Sequence, residues 1–319
     1  MTTNSDNKVP VIRLNALTKT FKNLRAVNEL TIDIYPNEIL GLLGPNGAGK
    51  TTTIKLICGL LLPTSGEVLL HGQPWNKASH FRKKIGYAPQ ENIFWPKLTC
   101  LEQLVFTGRM YDLSAKQSMS HSKNILEKLG LQDKMKASAY TLSGGMKRRL
   151  NLALALVHDP EIVILDEPEA GLDPQSRLLV REFIRGLAEG KTIILSTHNM
   201  DEADRLSNRI AIMDYGELLL TGSPEYLKNS VGKGDIIEIE TENTPDVVVS
   251  ELKLEIESIG LILRLNEGTF LIQGMNLVGK TPDIIKILMQ KEIRILKMTL
   301  RENSLEDVFI HLTGRRLRA

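Results

Sequence analysis

Eight residues, Gly44-Pro45-Asn46-Gly47-Ala48-Gly49-Lys50-Thr51, constrain this chain more than any other stretch. They complete the pattern G-x-x-x-x-G-K-[ST], preceded by the apolar run Ile39 to Leu43 and followed by a helical pattern from Thr52 onward. Strand, glycine-rich turn and helix in that order make a cradle for phosphate. Glycines let successive amide N–H groups converge on one anionic centre, and the helix brings the positive end of its dipole to the same place. Lys50 is placed to reach β- and γ-phosphates, and the Thr51 hydroxyl to ligate Mg²⁺. The candidate nucleotide contacts are Gly44, Pro45, Asn46, Gly47, Ala48, Gly49, Lys50, Thr51 and Thr52. The alternative is a tight glycine turn with no ligand, which the strand–loop–helix context disfavours.

Ile39 to Leu43 is apolar on both faces, as a strand buried between helices must be. Ile162 to Leu165, Thr192 to Leu195 and Ile210 to Met213 repeat that composition with helical patterns between the first two pairs, a βαβ rhythm that predicts a parallel sheet. Ligands of such sheets bind at the carboxyl ends of the strands, where the cradle, Asp166 and His198 fall. Val11 to Phe21 and Leu30 to Tyr35 instead alternate apolar and polar residues, which predicts a small antiparallel layer. Between the first and later strands, about residues 98–156 read as a helical insertion.

A cluster of Asn, Ser and Gly at 229–234 predicts a linker, and residues 235–319 beyond it follow the order β-α-β-β-α-β, the split βαβ arrangement, closed by a helix at Ser304 to Thr313. Residues 1–10 are polar and read as a flexible start. The chain has 319 residues, enough for about two domains, with 40 basic against 38 acidic side chains. That balance gives no reason to expect a nucleic-acid partner. Cys58 and Cys100 are isolated in sequence, so we expect buried thiols in a reducing compartment. No apolar run approaches the roughly 20 residues of a spanning helix, which predicts a soluble or peripheral protein.

Asp166 and Glu167 end the strand at Ile162 to Leu165, and adjacent residues at a strand end do not share a face. Asp166 is therefore expected to hold Mg²⁺, directly or through water, and Glu167 to act as general base toward the attacking water. At this point the chain resembles the nucleotide-binding subunit of an ATP-binding cassette (ABC) transporter. Leu142-Ser143-Gly144-Gly145-Met146 is similar to that family's signature motif. The resemblance implies ATP and Mg²⁺ as cofactors, and Ser143, Gly144 and Gly145 contacting ATP bound to a second copy or a homologous subunit in a head-to-tail dimer.

It also implies a Q-loop glutamine at Gln90 near the Mg²⁺, a D-loop aspartate at Asp173, a switch histidine at His198 and an adenine-stacking aromatic at Phe21. A core phenylalanine is the rival for Phe21. The expected fold is α/β, a P-loop NTPase of ABC type over 11–228, followed by a small ferredoxin-like α+β domain. Met146 and Glu169 depart from the common residues at their positions, glutamine and threonine. Met146-Lys147-Arg148-Arg149-Leu150, the run Asn199 to Asp204 and Ser304 to Phe309 look most like the daunorubicin-resistance branch, which pairs with ABC-2 type permeases. The implied function is an ATPase at the cytoplasmic face of the membrane that powers export through a separate permease. The rivals are an ABC-type ATPase of DNA repair or the ribosome, and a scaffold without turnover. Only 93 positions separate Lys50 from Ser143, too few for a long coiled coil, one cassette is present rather than two, and Glu167 and His198 are both retained.

Overall fold

The computed structural model describes residues 9–75, 79–95, 97–230, 234–242, 246–266 and 269–314. The flexible start expected at 1–10 therefore lies, save Val9 and Pro10, outside the described residues, as do 231–233 of the expected linker. The chain divides into two compact units, one ending at Pro224 and the next beginning at Glu225.

In the first unit β1 (Ile12–Phe21) pairs antiparallel with β2 (Leu24–Ile34). The second of these starts six residues earlier than its alternation suggests. Register shifts near left-handed Ala16 and Glu29 break the period-2 pattern without breaking the ladder. Next come β3 (Ile39–Leu43), α1 (Lys50–Ile57), β4 (Ser65–Leu70), the two-residue β5 (Gln73–Pro74) and β6 (Ile85–Ala88). Helix α1 stops short of the expected Leu61, because left-handed Gly59 turns the chain under the Trp75 ring, where a Cβ would lie 2.7 Å from the indole.

The insertion holds α2 (Cys100–Met110), α3 (Ala115–Lys128) and α4 (Gly144–Leu156). Thr99 with Glu102 and Ser114 with Gln117 close full capping boxes on the first two. The chain continues through β7 (Ile162–Asp166), α5 (Pro174–Leu187), β8 (Thr192–Thr197), α6 (Met200–Leu206), β9 (Arg209–Asp214) and β10 (Glu217–Gly222). The last strand has no alternating pattern to announce it. A hairpin turn makes it, with Tyr215 and Gly216 both at positive φ, 47° and 82°.

Two sheets result: antiparallel β2-β1-β4-β5, and β10-β9-β3-β8-β7-β6, parallel except at β10. Alternate residues of the parallel strands feed two separate cores. Leu40, Leu42, Ile162, Ile164 and Ile194 pack toward the antiparallel layer and α1. Ile39, Val163, Leu165, Ile193 and Leu195 pack toward α2 to α6. Burial on both faces is why these strands read as continuous apolar runs.

The second unit begins with α7 (Pro224–Ser230), whose Leu227 is fully buried. Asn229 and Ser230, read from sequence as linker, finish this helix instead, and the Ser230 hydroxyl donates to Leu227 O. Then follow β11 (Asp235–Thr241), α8 (Asp246–Ser258), β12 (Ile262–Asn266), β13 (Thr269–Gly274), α9 (Leu277–Gln290), β14 (Ile295–Arg301) and α10 (Leu305–Thr313). The antiparallel order β12-β13-β11-β14 is the ferredoxin-like arrangement. Helix α9 starts five residues before Pro282, because Asn276 enters it in the left-handed conformation without a side-chain cap, leaving no capping residue to mark the start. Among the described residues no helix is long and apolar enough to cross a membrane.

Candidate nucleotide-hydrolysis site

The parallel sheet delivers its functional residues at the carboxyl ends of three adjacent strands: the cradle after β3, Asp166 ending β7, and Thr197 with His198 after β8. Gly44 N–H donates to Thr197 O across 3.3 Å and so fastens the start of the cradle to the neighbouring strand. Gly49 has φ 96°, and a Cβ there would stand 2.4 Å from Ala26 O; only glycine fits.

Lys50 is the first residue of α1 and is almost fully buried. Its ammonium spans the loop, donating to Gly44 O (2.6 Å) and Pro45 O (3.0 Å), with Glu167 3.9 Å away. Burial pushes its pKa down, while Glu167 and Asp166 push the other way. The Thr51 hydroxyl donates to Asp166 Oδ1 (3.2 Å), and Ser196 donates to the same oxygen. The other oxygen, Oδ2, is buried with no hydrogen-bond partner among the described residues. A buried carboxylate oxygen left bare beside a threonine hydroxyl is the donor set a small hard cation takes.

Glu167 is buried and sits at φ 54°, a left-handed conformation uncommon outside glycine, asparagine and aspartate. Its N–H reaches Ser196 O (3.1 Å), and its carboxylate lies 2.9 Å from Nδ1 of half-exposed His198. The turn at 167 swings the Glu167 side chain toward the cavity while Asp166 stays beneath it. That cavity, about 310 Å³, is lined by Phe21, Arg25, Asn46 to Thr52, Gln90, Glu167 and Tyr215. Phe21 is 43% exposed, which removes the core reading for it.

Ser143, Gly144 and Gly145 are absent from that lining. Ser143 caps α4 by accepting from Met146 N–H (3.3 Å), and Ser143 and Gly144 are exposed. Next to them, Asp173 caps α5 by accepting from Ser176 N–H (2.9 Å), and this bond lowers its pKa. A Cβ on Gly145 would lie 3.4 Å from the Asp173 carboxylate. The turn at Ser143 to Gly145 and Asp173 thus form one outward-facing corner.

Residues 27–170 match the family model described as ABC transporter. The Nod factor export ATP-binding protein I of Burkholderia lata is 38% identical over 301 residues, covering 94% of this chain and 95% of that protein. The same protein from Paraburkholderia xenovorans is 38% identical over 96% of this chain and 98% of its own. The chain belongs to the ATP-binding subunits of ABC transporters. A solved bacterial ABC transporter cassette in dimeric form superposes with a TM-score of 0.63 at 28% identity, covering 66% of this chain and 98% of that one. A solved cassette in a post-hydrolysis state with ADP and phosphate gives 0.63 at 26% identity, again over 66% of this chain and 98% of its own. The chain is accordingly an ATP-binding and ATP-hydrolysing subunit.

Further residues shape this ABC subunit's site, and two of them, Ser196 and Glu202, carried no signal in the sequence. Ser196 supports both Asp166 and the Glu167 N–H. Glu202 is buried in α6 and accepts from the Thr197 hydroxyl, which in turn accepts from Asn199 N–H at 2.9 Å. Burial raises the Glu202 pKa to about 8, so this acid is largely protonated at neutral pH. Glu169, the departure from threonine, is buried against a bidentate Arg181 (2.9 and 2.7 Å). Met146, the departure from glutamine, packs on the helical core. Tyr215 enters the site on the turn before β10, and a Tyr-Gly pair ahead of Glu217 to Gly222 is the cue that marks it.

Proposed function

We propose that this subunit powers export through a separate membrane permease by ATP-driven closure of a head-to-tail dimer, on the cytoplasmic face of the membrane. The observation that carries the reading is the division of the site. Lys50, Thr51 and Glu167 line one cavity, with Asp166 held by the Thr51 hydroxyl and His198 by the Glu167 carboxylate, while Ser143 to Gly145 are absent from its lining. A capped helix N-terminus presented to solvent suits the phosphates of ATP bound to a second copy or a homologous subunit. The dimeric cassette similar to this chain and the export proteins related to it over their whole length support the same arrangement.

In this reading Phe21 stacks on adenine, Gly44 to Thr52 hold the phosphates, and Thr51, Asp166 and Gln90 would hold Mg²⁺. The ion supplies charge neutralisation at the phosphates. Glu167, turned into the cavity, takes the proton of the attacking water, and His198 orients that carboxylate and reaches the γ-phosphate. Asp173 lies where the opposing subunit arrives. For the permease, the segment after Gln90 and helix α2 expose Ile93 (70%), Met110 (63%), Phe106 and Trp95, and Ile93 and Trp95 line a cavity of about 550 Å³. An apolar patch of this kind beside the Gln90 loop fits a helical segment of a membrane partner. The likeness of Met146 to Leu150, Asn199 to Asp204 and Ser304 to Phe309 to the drug-resistance branch is what supports an ABC-2 type permease as that partner.

Glu167→Gln tests the reading. It should retain ATP binding, run as a dimer with ATP in size-exclusion chromatography, and lose turnover by a factor on the order of 10² or more. Unimpaired hydrolysis would remove Glu167 from the chemistry; failure of the ATP-loaded variant to dimerise would remove the shared site.

A further inference from the structure

Helix α4 carries the signature turn at its start and, a little over a turn further on, Arg148, which is 3% exposed. A guanidinium has five N–H donors. Here all five end on main-chain carbonyls. Nε donates to Pro168 O (3.2 Å), Nη1 to Pro89 O (2.7 Å) and Gln90 O (3.0 Å), and Nη2 to Asp166 O and to Glu167 O (2.6 Å). Asn151 adds a further bond from the same helix to Pro89 O (2.8 Å). One side chain therefore joins α4 to the loop bearing Gln90 and to the loop bearing Asp166 and Glu167.

The choice of carbonyls matters. No carboxylate is consumed in holding Arg148, so the acidic groups nearby stay available to the site. Burial pushes the Arg148 pKa down, and Asp166, Glu202 and Glu167 counter that by favouring the cation. Lysine offers three donors from a single point and cannot span two loops. Glu167 in particular is gripped from both sides, its N–H by Ser196 and its C=O by Arg148. Such double anchoring is what keeps a left-handed glutamate in place.

We propose that Arg148 is a positioning residue that makes the signature turn, the Gln90 loop and the 166–168 loop move as one body. Engagement of Ser143 to Gly145 by nucleotide on an opposing subunit is thereby transmitted to this subunit's own Glu167. The inference rests on the head-to-tail reading above. From Ser143 to Arg148 the helix spans about 7 Å of rise, a rigid lever with the signature at one end and the fork at the other.

The test is ATP turnover of the full chain as a function of ATP concentration, for wild type, Arg148→Met and Arg148→Lys, with ATP affinity measured separately in a Glu167→Gln background. Both variants should bind ATP within about twofold of the parent, lose turnover by roughly 10- to 100-fold, and show a Hill coefficient reduced to about one. A purely structural arginine would lower turnover and melting temperature but leave the Hill coefficient unchanged, and that outcome overturns the proposal. A wild type that is itself monomeric with ATP and non-cooperative overturns the head-to-tail reading together with the proposal. Cooperative wild type with equally cooperative variants overturns Arg148 alone. Where the variants yield no folded protein, hydrogen exchange decides on ATP-loaded Glu167→Gln. The amides of Gln90 and Glu91 and those of Asp166, Glu167 and Glu169 should slow together, and adding Ser143→Arg should release both; protection that survives Ser143→Arg would sink the idea.

Discussion

The two units of this chain use the same materials for different ends. Each builds its core from buried Ile, Leu and Val on sheet and helix faces. Yet the first also buries Lys50, Arg148, Asp166, Glu167, Glu169 and Glu202, whereas Gln273 and Asp307 are the buried polar side chains among the described residues of the second. Those two are spent on the fold itself: Gln273 donates to Asn303 (2.9 Å), and Asp307 closes the capping box of α10 and binds Arg301. Removing charge from water is expensive and an apolar core does not need it. Concentrated buried charge with incomplete pairing marks where a protein acts, and it lies in the first unit.

That contrast can be broken in three places. Phe270→Ala should destabilise the second unit by about 3–5 kcal/mol, since the ring is fully buried in its core, while ATP affinity at the cradle stays within error. Calorimetry with nucleotide titration checks both, and a parallel loss of ATP affinity would mean that the units are not separable. Lys50→Ala should do the reverse, weakening ATP binding by about 1.5–3 kcal/mol through loss of a charge-assisted contact, with the melting of the second unit unmoved. Unchanged ATP affinity would disprove the cradle assignment.

The smallest effect concerns Glu202. Its pKa is raised from 4.5 to about 8, so between those values the folded chain keeps a proton that the unfolded chain has lost. Stability from this group is full below pH 4.5 and drains away as pH rises through 8. Glu202→Gln keeps the shape without the titration. It should be more stable than wild type at pH 8.5, by at least about 1 kcal/mol, and the gain should vanish near pH 5. Denaturant melts at the two pH values read this directly; a gain independent of pH would show that Glu202 does not titrate in that window.

Much of the architecture was legible because its signals are local. The cradle is a contiguous motif, the buried strands are apolar runs, and Ser304 with Asp307 announces α10 through adjacent chemistry. What stayed hidden depends on pairs distant in sequence or on backbone shape. Ser196 reads as one more hydroxyl in a β-run until β7 lies beside β8 and places it under Asp166. Arg148 sits in a helix of ordinary composition, and its acceptors are carbonyls, which every residue has, so no pattern of side chains could identify them. Strand β10 depends on a turn rather than on periodicity, and the early start of α9 on a left-handed asparagine. The site at the phosphates was thus readable as a set of residues, but not as a mechanical assembly.

The left-handed backbone of Glu167 has a consequence for how such a chain changes over generations. A glutamate in that conformation costs about 1 kcal/mol or more, which glycine would not incur. A search that rewards only robustness, in the laboratory or by drift when transport is not required, therefore finds relief at this position and loses hydrolysis on the same step. The most durable descendant of this protein would be an inert one.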